Sequence, residues 1–100
     1  MSHIDTHVTD AEFNTIPDEH SRVMLKNAYQ AITLTEHWDY MRTFSEQSFM
    51  FSNSPVVSTI ITKMSQLGYD GHSGCSFGWT MRNMEFFAKN GKQAFLRQFV

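Results

Sequence analysis

The sequence predicts an all-α protein, a compact bundle of four to five short helices. Three observations carry this expectation. Apolar residues recur at spacings of three and four along most of the chain. Cap residues precede those stretches, and glycines follow two of them. The stretch richest in β-branched residues, "NSPVVSTIITKMSQLG", carries helical spacing and helical caps rather than strand alternation.

Taken in order, residues 1–8 read as a flexible tail, and residues 9–100 as a single helical domain. Thr9 followed by Glu12 is a capping-box pattern for a short turn at 11–14. Thr15, Pro17 and Asp18 then signal a longer helix, with an acid at its positive end. Met24, Leu25, Ala28, Tyr29 and Ile32 form its apolar stripe, and the helix is expected to end at Ile32. Thr33 or Thr35 caps the next one, which carries Glu36 and Asp39 early and Arg42 late. Tyr40, Met41 and Phe44 give it one face, with Trp38 at the edge.

A connector follows, with Phe49, Met50 and Phe51 unusually apolar for a loop. Ser54 and Pro55 then start the cleanest helix and Gly68 ends it. Its apolar side is Val56, Val57, Ile60, Ile61, Met64 and Leu67. Another helix is expected from Ser73 to Asn90, closed by Gly91. Phe77, Met81, Met84 and Ala88 share one of its faces, while Trp79, Arg82 and Phe86 lie nearly opposite. A helix apolar on two opposed sides is either central or shared with another chain. "KQAFLRQFV" closes with a short amphipathic turn.

Composition narrows the function classes. A chain of 100 residues makes one domain with a modest core, which oligomerisation would help. Apolar residues at 41% exclude a disordered chain. A net charge of −2, with no basic run, argues against generic nucleic-acid binding. The polar start is no signal peptide, and no apolar run spans a bilayer. A single cysteine, Cys75, excludes an internal disulfide and fits a reducing, cytoplasmic setting.

The unusual chemistry sits in "GYDGHSGCSFGWTMR", with four of the five glycines and the only cysteine. "GCSFG" matches a nucleophile elbow, but that elbow needs a strand before it and a large sheet around it. His72, Ser73 and Cys75 as a hydrolase set is a distant reading, because neighbours in a turn do not orient one another. No catalytic residue is assigned.

Two readings of this stretch stay open. In one, Gly68 and the Asp70–Gly71 turn separate two helices, and Ser73 caps the second. In the other it is a site. Gly71 and Gly74 let backbone N–H groups reach a phosphate-bearing small ligand at a helix start. Ser73 and Ser76 add hydroxyls, and His72 and Arg82 add positive charge, while Asp70 opposes an anion. No cofactor is expected, and no metal: His3, Asp5 and His7 alternate on the tail, but His20, His37 and His72 form no ligand pattern.

Trp79, Arg82 and Phe86 also suit a protein-binding face, because aromatics and Arg concentrate at interface centres. The expected partners are a second copy, a host protein, or both. "GYDGHSGCSFGWTMRNMEFFAKNG" resembles a motif of small uncharacterised proteins of large DNA viruses and phages. The resemblance covers residues 68–91 and implies a virus-encoded accessory factor acting on host machinery. It supplies no catalytic residues.

Overall fold

The computed structural model describes residues 7–44, 54–69 and 74–100, with residues 74–76 described by backbone alone. It is all-α. Among the described residues there are six helical segments and no strand: α1 (Asp10–Phe13), α2 (Glu19–Thr35), α3 (Trp38–Thr43), α4 (Pro55–Gln66), α5 (Gly74–Asn90) and α6 (Lys92–Arg97). α2, α4 and α5 are the long ones. The others are one or two turns, and they close the ends of the core.

The expected capping box forms. Glu12 N–H donates to Thr9 Oγ1 at 3.1 Å, and Thr9 N–H donates back to Glu12 Oε1 at 2.9 Å. Val8 and Phe13 occupy the two positions of a hydrophobic staple, and both are buried. Val8 stands at the end of the segment read as tail. Its N–H donates to the Tyr29 hydroxyl at 3.1 Å, so the chain is already docked on α2 there.

α2 differs from its expected bounds at both ends. Its cap is Asp18, whose carboxylate accepts from Ser21 N–H at 2.9 Å, not Thr15, which donates back to Glu12 O. The helix also runs on past Ile32 to Thr35. Neither Thr33 nor Thr35 caps α3. Thr35 Oγ1 bonds back to Ala31 O at 2.8 Å, and Thr33 Oγ1 accepts from Trp38 Nε1 at 3.1 Å. The break falls at Glu36, which turns left-handed at φ 59°. The N–H groups of Glu36 and His37 then close onto Thr33 O and Ile32 O, a Schellman closure built on a non-glycine residue.

Helix α4 ends as its sequence predicts. Ser54 caps it, Pro55 opens it, and Gly68 at φ 103° follows it. Gly68 N–H donates to Ser65 O and Tyr69 N–H to Met64 O, the two bonds of a Schellman motif. Only part of its expected apolar side is covered. Val57, Ile60 and Met64 are buried, but Ile61 is 41% exposed and Leu67 37%. Ile61 follows Ile60 by about 100° around the helix, which carries it past the seam with α2.

Helix α5 is the shared element, packed against α2, α3 and α6, while α4 packs on α2. An aromatic chain runs through the middle. Phe13 meets Tyr29 edge-on at 5.2 Å, Trp38 stacks on Phe87 at 5.0 Å, and Phe87 meets Phe95 at 4.7 Å. Tyr29 touches both Trp38 and Phe87. One ring cluster therefore joins α1, α2, α3, α5 and α6. One ion pair and one hydrogen bond from a lysine tie the ends down. Lys92, with its side chain 16% exposed, reaches Glu12 at 2.9 Å, and Lys89 donates to Phe44 O at 2.8 Å.

Candidate functional site

The candidate residues belong to α5 and the segment leading into it. Tyr69 sets the approach. After the Gly68 turn its ring meets Phe77 edge-on at 6.5 Å, which fixes where the chain leaves α4 relative to the first turns of α5. Asp70, Gly71, His72 and Ser73 lie outside the described residues. So do Phe49, Met50 and Phe51. Gly74, Cys75 and Ser76 form the first turn of α5, close to the expected start at Ser73. That turn carries no acidic residue.

Further along, helix geometry sorts the side chains onto two sides. Met81, Met84, Phe87 and Ala88 are 0% exposed and Phe77 is 8%, which places the expected core face correctly. Thr80 is buried among them. On the opposed side, Trp79 and Phe86 are half-buried and pack against the core, and Arg82 is exposed. The structure thus brings Trp79, Arg82 and Phe86 onto one face. Two asparagines flank it. Asn83 Nδ2 donates to Trp79 O and Asn90 Nδ2 to Phe86 O, each at 2.9 Å and each one turn back. These bonds hold the amides along the helix rather than across the face.

This face is packed against the core but not wholly covered by it. α5 is central, and that explains why it needs apolar residues on more than one side. Yet Trp79 and Phe86 keep exposed surface beside a charged Arg82, a composition that suits an interface centre. Trp38, placed at the edge of α3's apolar face, differs. Its ring is stacked on Phe87 and its indole N–H is bonded, so its role in packing is complete.

Sequence reasoning missed five core residues: Phe87, Val8, Phe13, Ile16 and Ala31. Phe87 lies about 60° from Met84, on the flank of the recognised face, and its neighbour Phe86 drew attention to the other side. Val8, Phe13 and Ile16 were readable only as a staple around the Thr9–Glu12 box. Ala31 lies inside the expected helix, about 60° from Ala28, on the flank of the recognised stripe.

Two carboxylates titrate below their ordinary range, and neither belongs to α5. The Thr9 N–H, then the Lys92 ammonium, hold the Glu12 carboxyl down at about 2, against an ordinary 4.5. The Ser21 hydroxyl, then the Ser21 N–H, lower Asp18. Both are helix caps doing structural duty. Among the described residues no group of three or more His, Cys, Asp and Glu side chains could hold a metal ion. No helix among them is long and apolar enough to cross a membrane.

Two surface depressions exist elsewhere. One of about 410 Å³ lies between α1 and α6, lined by Glu12, Thr15, Gln93, Leu96, Arg97 and Val100. Another of about 390 Å³ runs along the polar side of α4. Neither includes a residue of α5. No protein-family model, no curated protein and no solved structure matches the chain.

Proposed function

We propose that the protein is a small non-enzymatic binding or regulatory module that acts by protein–protein contact, with a second copy, a host protein, or both. The observation that supports this is the second side of α5. There Trp79 and Phe86 keep exposed surface around Arg82, although α5 already packs against α2, α3 and α6. Large aromatics with one face on a rigid core and the other open are pre-organised anchors, and they lose little conformational entropy on docking. The resemblance of residues 68–91 to proteins of large DNA viruses and phages supports reading this module as a virus- or phage-encoded accessory factor that works in the cytoplasm. Native mass spectrometry of the untagged protein tests self-association directly. Multiples of the 11.6 kDa chain that vanish in Trp79→Ala and Phe86→Ala support it. If both variants assemble like the parent, this face is not the contact.

A phosphate-bearing small ligand or nucleotide signal is the second reading. It is favoured by a 17-residue helix that begins at Gly74 with no acid in its first turn. A ligand specific to the folded state must raise the melting temperature. Inorganic phosphate and a nucleotide panel that leave the melting temperature unchanged would remove this reading.

A further inference from the structure

We draw no further inference here: the strongest candidate, the stripe on α2 that leaves Val23 54% and Leu34 61% exposed on either side of Asn27, carries nothing because nothing in the structure shows what covers it.

Discussion

Phe86 and Phe87 are neighbours in sequence, and they separate packing from docking. Phe87 is 0% exposed and meets Tyr29, Trp38 and Phe95. Phe87→Ala removes the centre of the aromatic chain, at a cost of about 3–5 kcal/mol. That is a large part of the ~5–15 kcal/mol available to a domain of this size. Phe86 is only half-buried. Complete burial of a Phe side chain contributes about 1.5–3 kcal/mol, so Phe86→Ala costs about 1 kcal/mol. At roughly 4–8 °C per kcal/mol, the melting temperature falls by ~4–8 °C for Phe86→Ala and by at least ~12 °C for Phe87→Ala. Circular-dichroism melts at several protein concentrations measure this. Where copies associate, the parent's melting temperature rises with concentration, and Phe86→Ala loses that rise while remaining folded. Equal losses in the two variants would show that Phe86 is core, and the docking face would be refuted.

Three further outcomes follow from the geometry. Glu36→Gly relieves a left-handed residue that costs about 1–2 kcal/mol, against about 0.5–1 kcal/mol of added chain entropy in glycine, so stability rises by about 0.5–1 kcal/mol. A lower melting temperature would show that the Glu36 side chain makes a contact worth more than the strain. Glu12 has a folded pKa below its unfolded value, so its contribution is present above the ordinary carboxylate range. It is lost as pH falls from about 4.5 toward about 2. Glu12→Gln therefore flattens the acid limb of a melting-temperature-against-pH curve, and an unchanged limb would contradict the capping and Lys92 contacts. Lys89→Met removes the donor to Phe44 O and costs about 1 kcal/mol, whereas Glu85→Gln, which keeps that bond, costs less than about 0.5 kcal/mol. Chemical denaturation of the two variants distinguishes them, and equal costs would place the effect in the Lys89–Glu85 pair.

The fold was readable wherever its cause is local. Thr9 with Glu12, Ser54 with Pro55, and Gly68 are short-range signals, and each does what its spacing predicts. The junction of α2 and α3 was not readable, because what decides it is tertiary. Thr33 looks like a cap in sequence, but Trp38 takes its hydroxyl oxygen while stacking on Phe87 from a helix some fifty residues away. With Trp38 held there, the chain must reverse within two residues, and Glu36 adopts the left-handed conformation that a glycine would have announced. α4 shows the complementary limit. Its apolar stripe was visible, but the width of the α2 seam decides that Ile60 is covered and Ile61 is not.

The same reasoning bears on α5. Periodicity placed Trp79, Arg82 and Phe86 on one side, and the fold keeps them there. A central helix lets a second apolar side arise for packing alone, so apolar character by itself does not make that side an interface. Residual exposure is the stronger indicator. Phe86, with the same side chain and one position earlier, keeps some exposed surface where Phe87 is fully enclosed. Packing alone would lose less at this partly exposed position than at Phe87 when the ring is removed. The protein places two aromatics there, with an exposed Arg between them. A swap of Phe86 for Gln, which removes the apolar ring, should therefore leave the protein folded with a loss of about 1 kcal/mol and reduce association most. Full association in Phe86→Gln would assign the ring to packing.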